Sequence, residues 1–197
     1  MSDRSKRSTT LRRGALRPIF LAAAFSVGGS LALSTDADAY VLEGLRWAGT
    51  PTSGCCANLG VQYNTVTQSY DSAGLFAGFV GWNHSFSSGV NVNCSTVSSS
   101  VWTVQDVYNP GSGWDGLTPI TGSNGYFTMA MLQINYYYTQ FYSQQTINGV
   151  AAHEIGHSLG LAHAPGCVLM TPTTAMRNSC GIYGPVQDDK NGVNSLY

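Results

Sequence analysis

The chain has 197 residues, of which only 10% are charged, compared with about 25% in an average soluble domain. Six of its nine basic residues fall within the first 17 positions, so the rest of the chain keeps only Arg46, Arg177 and Lys190. So few basic side chains exclude the electrostatic footprint of a nucleic-acid-binding domain, whereas 43% hydrophobic residues suffice for a packed core and exclude global disorder.

The amino terminus has the three parts of a secretory signal peptide. A basic segment, 1–17, is followed by an apolar run, 19–33, and by a polar end that closes on the small-residue triplet 37–39. The apolar run has 15 residues, whereas a membrane-spanning helix needs about 20. We therefore predict that residues 1–39 are a signal peptide cut before Tyr40. The predicted mature domain, 40–197, is then secreted and free of the membrane.

All five cysteines lie in the predicted mature domain. In an exported protein they are expected to form disulfides, and because five is odd, at most two bridges form within the chain. We predict one bridge between Cys167 and Cys180 and another from Cys94 to Cys55 or Cys56. The spare thiol could be buried, pair with another chain or contact a metal.

Hydrophobic periodicity predicts one domain of mixed strands and helices after an irregular start at 40–60. On the strand at 126–138, Phe127, Met129 and Met131 are expected to share the face that packs into the core. The elements predicted in chain order are strands at 61–63, 98–108 and 126–138, helices at 71–84, 144–162 and 188–197, and a loop at 109–124.

The residue types that carry chemistry are concentrated at 153–163, which reads HEIGHSLGLAH. Because positions i and i+4 share a helix face, His153 and His157 can both direct an imidazole nitrogen at one metal ion. Gly160 can adopt the left-handed conformation that ends a helix, which would bring His163 round as a third ligand. Three protein ligands that leave one position for water are typical of a catalytic zinc site, and Glu154 would face that open position.

These eleven residues match HExxHxxGxxH, the long zinc-binding signature of the metzincin metalloproteases. Three further segments make the chain similar to the matrixins, the matrix metalloprotease branch. The segment 168–172 resembles their methionine turn, 186–197 resembles their last helix, and Arg46-Trp47 resembles a pair near the start of their catalytic domain. The resemblance is clear over residues 151–197 and weak in the residues before them.

The resemblance implies an α+β catalytic domain of metzincin type. Such a domain combines a twisted mixed β-sheet with an active-site helix, a methionine turn and a C-terminal helix. The resemblance also implies residue roles: zinc binding by His153, His157 and His163, general base and acid catalysis by Glu154, the floor of the site from Met170, and hydrogen bonds that brace the turn from Asp188 or Asp189.

The sequence also departs from the matrixin pattern. Ala164 follows the third histidine where matrixins usually have Ser, and Thr171 replaces the usual Tyr after the methionine. Because only His84 lies outside the motif, the family's second, structural zinc site is expected to be absent. Calcium is possible but weakly supported, since Asp106 and Asp115 are its only candidate ligands.

The leading hypothesis is a secreted, monomeric zinc endopeptidase that acts on proteins or peptides. Substrate is expected to lie along an edge strand at 126–134, and residues 170–183 are expected to shape the pocket on the leaving-group side. A different class of protein is the alternative: a zinc-containing binding or adhesive protein that cleaves nothing. The Tyr- and Ser-rich composition suits that alternative, whereas Glu154 argues against it. A protease of another metzincin branch is a third possibility.

Overall fold

The computed structural model describes residues 40–48, 58–60, 62–83, 91–93 and 101–197. The chain divides into two units, 1–35 and 36–197, and all the described residues belong to the second. Earlier predictions that lie outside the described residues are the signal peptide, the bridge from Cys94 to Cys55 or Cys56, the strand positions 61 and 98–100, and His84. Among the described helices, none combines the length and apolar character needed to cross a membrane.

The described residues form nine strands and five helices. Their order is β1 (Val41–Leu42), β2 (Asn58–Gly60), β3 (Gln62–Thr65), α1 (Ser69–Asn83), β4 (Asn91–Asn93), β5 (Trp102–Val107), β6 (Gly116–Leu117), β7 (Ile120–Ser123), β8 (Tyr126–Asn135), α2 (Tyr136–Thr139), α3 (Gln144–Ser158), β9 (Leu161–Ala162), α4 (Thr174–Ser179) and α5 (Gln187–Leu196).

The largest sheet is mixed, which confirms the predicted α+β class. Its strands run in the order β3-β5-β8-β6, and β7 also pairs with β8. β3, β5 and β8 are parallel, whereas β6 and β7 are antiparallel to β8. Two smaller pairs, β1 with β9 and β2 with β4, complete the described strands. β6 therefore ends one side of the sheet.

The core forms where α1 and α3 pack together and meet the sheet. Its largest fully buried side chains include Trp82 of α1, Trp102 of β5 and Ile155 of α3. The indole of Trp82 also donates to the carbonyl of Ala152, at 2.8 Å, which ties α1 to α3. α3 is thereby held along most of its length, and it carries the first half of the histidine motif.

The predicted long strand at 126–138 is wrong over its last three residues, which form α2. Asn135 ends β8 and caps the helix, because its side-chain oxygen accepts from the backbone N–H of Tyr137. Its amide nitrogen donates to the carbonyls of Asn109 and Trp114. Local capping by one buried amide thus overrides the strand preference of three tyrosines in a row.

The predicted core face of this strand is also wrong beyond Phe127. A register shift against β7 lets one extra residue of β8 pass between Phe127 and Met129. The buried residues after the shift are Ala130, Leu132 and Ile134, while Met129 and Met131 are only half-buried on the other face. An irregularity of one residue is enough to exchange the two faces of a strand.

Three other parts of the predicted secondary structure differ from the observed one. The expected loop at 109–124 contains β6 and β7, and the expected irregular start at 40–60 contains β1 and β2. α3 ends at Ser158 instead of 162, because Gly160 adopts a φ of +104° and the chain turns into β9. The helices α1, α3 and α5 themselves are confirmed, and α3 begins at Gln144 as predicted.

Candidate functional site

The three motif histidines converge at the end of α3. His153 Nε2 lies 3.2 Å from His157 Nε2 and 3.3 Å from His163 Nε2. Among the described residues, this is the one group of three His, Cys, Asp or Glu side chains whose ligand atoms could hold a metal ion. Tetrahedral zinc bound to nitrogen at 2.0–2.1 Å would place its ligand atoms about 3.3–3.4 Å apart, close to both distances.

Backbone carbonyls fix the orientation of two of these rings. His153 Nδ1 lies 2.8 Å from the carbonyl of Leu169, and His157 Nδ1 lies 2.8 Å from that of Leu161. Because a carbonyl can only accept, each Nδ1 carries the hydrogen, and each neutral ring therefore has an unprotonated Nε2. Two lone pairs that face each other repel unless a cation lies between them, so this donor set fits zinc.

Burial and neighbouring charges set the protonation of the cluster. Burial lowers the pKa of His153 and His163, which favours the neutral rings that a metal requires. Burial also acts to lower the pKa of His157, but the carboxylates of Glu43 and Glu154 outweigh it, so the net shift is upward. Glu43 Oε1 lies 3.5 Å from His157 Nδ1.

Glu154 is 4% exposed and points from α3 toward β6 and the turn that follows it. The hydroxyl of Thr118 lies 2.7 Å from Glu154 Oε2 and 3.1 Å from the backbone carbonyl oxygen of Glu154. A Cβ added to Gly116 would meet the Glu154 carboxyl group at 2.5–2.8 Å, so only glycine leaves room for it there. Burial raises the pKa of Glu154, while His157 and the Thr118 hydrogen bond act against that rise.

The methionine turn lies beneath the histidines. Met170 is 1% exposed, and its sulfur packs so closely against Gly156 of α3 that any side chain at that glycine would overlap it. Asp189 of α5 accepts from the backbone N–H groups of Leu169 and Met170 at 3.0 and 3.2 Å. The backbone of this turn is thus joined to α5, and through the carbonyl of Leu169 to His153.

A pocket of about 600 Å³ opens beside the cluster. The residues of β6 and its flanking turns line one wall, and the segment 172–177 after the methionine turn lines another. The segment from Cys167 to Cys180 is closed by a disulfide between these two residues, which confirms that predicted bridge. Arg177 of α4 also lines the pocket, although it is only 3% exposed overall.

The strand expected to receive substrate is not at an edge. β8 pairs with β5 on one side and with β6 and β7 on the other, so its backbone groups are already occupied. The edge next to the histidines belongs to β6, which the sequence analysis placed in a loop. The prediction of an edge strand at 126–134 is therefore wrong.

Within the part of the chain that the structure describes, the other predicted site residues form no second cluster that could hold a metal. Asp106 lies away from the histidine group and accepts from the backbone N–H groups of Thr67 and Gln68, at 2.7 Å each. Asp115 lines the pocket and accepts from the hydroxyl of Tyr142. Asp188 lies in the first turn of α5, next to Asp189. Calcium binding by Asp106 or Asp115 stays a prediction.

Sequence reasoning missed the residues that surround the motif from distant parts of the chain. Gly116 and Thr118 lie in a stretch that lacks any periodic signal, and Glu43 precedes its neighbour His157 by more than one hundred residues. Arg177 did carry a usable signal, because it is one of three basic residues after position 17 and falls within the pocket segment predicted at 170–183.

Comparison with known proteins agrees with the resemblance to the matrixins and extends it over most of the chain. The family model of the matrixins, peptidase family M10, matches residues 64–197. Neutrophil collagenase of Homo sapiens is 52% identical over 50 residues, which cover 24% of this chain and 10% of that protein. Matrix metalloproteinase-20 of Homo sapiens is 49% identical over 49 residues, again 24% of this chain and 10% of the relative. The match to each curated relative thus spans about a tenth of that protein's length.

Proposed function

Because the chain belongs to the matrixin family, a family of zinc metalloproteases, we propose that it is a secreted endopeptidase that hydrolyses peptide bonds in proteins or peptides. The observation that carries the proposal is the convergence of three imidazole nitrogens beside a buried glutamate and an open pocket. A purely structural metal site would normally be closed by a fourth protein ligand.

His153, His157 and His163 would hold the zinc ion through their Nε2 atoms. When bound, zinc would lower the pKa of a water molecule toward neutrality and polarise the carbonyl of the bond to be cut. The chain's own part in binding is to keep the Nε2 lone pairs free. The Nδ1 hydrogen bonds of His153 and His157 to backbone carbonyls do this.

Glu154 would move the protons of the reaction. Its carboxylate would accept a proton from the attacking water and then deliver it to the nitrogen of the departing amine. The hydrogen bond from Thr118 to Oε2 fixes the direction of the carboxylate and leaves Oε1 for the water. The tight space at Gly116 acts in the same sense, since it limits where the carboxyl group can lie.

Substrate would lie extended along the free edge of β6. Within the described chain, β6 pairs only with β8, so its outer backbone groups can accept a further strand. The peptide bond would then pass between β6 and the histidines, next to Glu154. The segment 170–183 would bound the leaving-group side of the pocket, and Met170, braced by Asp189, would support the ligands from below.

A peptide library tests this function. Purified protein is incubated with peptides of diverse sequence, with and without a zinc chelator, and the products are identified by mass spectrometry. We expect internal cleavage that the chelator abolishes and that added zinc restores. The alternative, a zinc-containing binding or adhesive protein, requires that no peptide be cleaved while zinc stays bound.

We also propose a mature, monomeric domain over residues 40–197 that is released by removal of residues 1–39. Supporting this start, β1 begins directly after Tyr40 and pairs with β9 beside the third histidine. Mass spectrometry of the exported protein gives the mature start directly, and a start other than Tyr40 would refute this boundary.

A further inference from the structure

Arg177 is a buried cation that forms no ion pair with a carboxylate of the described residues. Its side chain is 3% exposed, and no described carboxylate lies within 4.0 Å of its guanidinium nitrogens, since His157 and Glu43 form the one ion pair found. Burial lowers the pKa of its guanidinium, and the more distant charges of Asp115 and Glu154 offset this only in part. Because a charge buried without an ion-pair partner is unfavourable, the site favours a bound counterion.

The guanidinium is held in a fixed direction and keeps unused donors. One terminal nitrogen donates to the carbonyl of Thr171 at 2.8 Å, and the other donates to Thr174 Oγ1 at 2.6 Å. Each terminal nitrogen retains a second hydrogen, and the buried Nε finds no acceptor among the described residues. This planar fork matches the two oxygens of a carboxylate.

Arg177 lies in the same pocket as the proposed reacting centre. The residues that line this pocket include Arg177, Glu154, His153 and His163. Asp115 lines the same pocket but accepts from the hydroxyl of Tyr142, at 3.2 Å, and makes no ion pair with Arg177. The pocket therefore has room and donors for an anion supplied from outside.

We propose that Arg177 forms a binding site for a substrate carboxylate, so that the pocket selects an acidic residue directly after the bond to be cut. The inference rests on the proposed function, which puts the segment 170–183 on the leaving-group side. The carboxylate has two possible sources: the side chain of Glu or Asp, or the terminal carboxylate of a peptide cut near its end. A carboxylate from either source would accept hydrogen bonds from the free N–H groups of the guanidinium and neutralise its buried charge.

Matched peptides test the proposal on the unaltered protein. Two internally quenched peptides differ only in Glu or Gln directly after the scissile bond, and both extend several residues further to an amidated end. We expect kcat/KM to be about tenfold or more higher for the Glu peptide, the range of a charge-assisted hydrogen bond. A third peptide, cut next to a free terminal carboxylate, identifies the terminus as the source if it alone is favoured.

Substitutions assign the preference to this residue. Arg177→Gln should abolish the preference for Glu, and Arg177→Lys should retain part of it. Arg46→Gln is the matched control. The guanidinium of Arg46 donates a hydrogen bond to the carbonyl of Leu196, and Arg46 is not one of the residues that line the pocket. Equal cleavage of the Glu, Gln and free-terminus peptides by the unaltered protein would overturn the proposal, whatever the variants do.

A binding measurement separates this proposal from the proposed function. Titration calorimetry with the product peptides that begin with Glu or Gln requires no hydrolysis. Tighter binding of the Glu product, lost in Arg177→Gln, would support the carboxylate site even if the protein cleaved nothing. Internal cleavage without any acidic preference would retain the endopeptidase and refute the carboxylate site.

Discussion

Asp71 offers a test of the buried electrostatics of the fold, away from the histidine cluster. This residue of α1 is fully buried, and one carboxylate oxygen accepts from Thr139 Oγ1 at 2.9 Å. The other oxygen has no hydrogen-bond partner among the described residues. Burial, with a smaller contribution from Asp106, raises the pKa of Asp71 from 3.8 to about 6 despite the Thr139 hydrogen bond.

The sign of the pH dependence follows from this rise. Because the folded protein holds the Asp71 proton more tightly than the unfolded chain, folding is favoured most below pH 4, where both states are protonated. The contribution is lost as the pH rises from about 4 to about 6 and is constant above that. A rise of about two pH units in pKa corresponds to roughly 3 kcal/mol.

Asp71→Asn removes this titration and leaves an amide of similar shape. The unfolding free energy of variant minus wild type should therefore increase by roughly 3 kcal/mol between pH 4 and pH 7. The measurement is urea unfolding of both proteins over this range. Taking the difference cancels titrations that both proteins share, including those of the histidines. A difference that stays constant with pH would refute the reasoning.

Two further predictions concern the groups around the site. Thr118→Val should lower kcat at least several-fold while KM and zinc content stay near those of the wild type, because the Glu154 carboxylate loses its orienting hydrogen bond. Thr118→Ser keeps the hydroxyl and should restore kcat. An unchanged kcat in Thr118→Val would exclude the positioning role. Asp189→Ala should lower the unfolding free energy by about 3 kcal/mol or more, measured by urea unfolding, since it removes the acceptor of three backbone N–H groups, those of Leu169, Met170 and Val186. A loss below about 1 kcal/mol would show that the turn is held by other contacts.

Sequence alone predicted the parts of this molecule that depend on local spacing. His153 and His157 are one helical turn apart, so the periodicity of α3 was enough to bring their rings together. Gly160 marks the end of that helix by its conformation, and His163 follows at the distance that the turn allows. The disulfide of Cys167 with Cys180 was also accessible, since only 13 positions separate the two residues.

The parts that sequence could not predict depend on contacts between distant segments. β6 has two residues and no apolar alternation, so only its pairing with β8 identifies it as a strand and as the edge. The face of Met129 and Met131 depends on a register shift in the pairing with β7. Thr118 reaches Glu154 across 36 positions, and no local pattern distinguishes it from other threonines.

The central claim is that Glu154 moves protons at a zinc ion held by three histidines. Its most direct test is Glu154→Gln, which keeps the size of the side chain and removes its basicity. Zinc content by mass spectrometry and kcat/KM on one cleaved peptide are measured for this variant and the wild type. We predict one equivalent of zinc in both proteins and a loss of about 10²–10⁴-fold in kcat/KM in the variant. Hydrolysis by the variant at the wild-type rate would contradict the account.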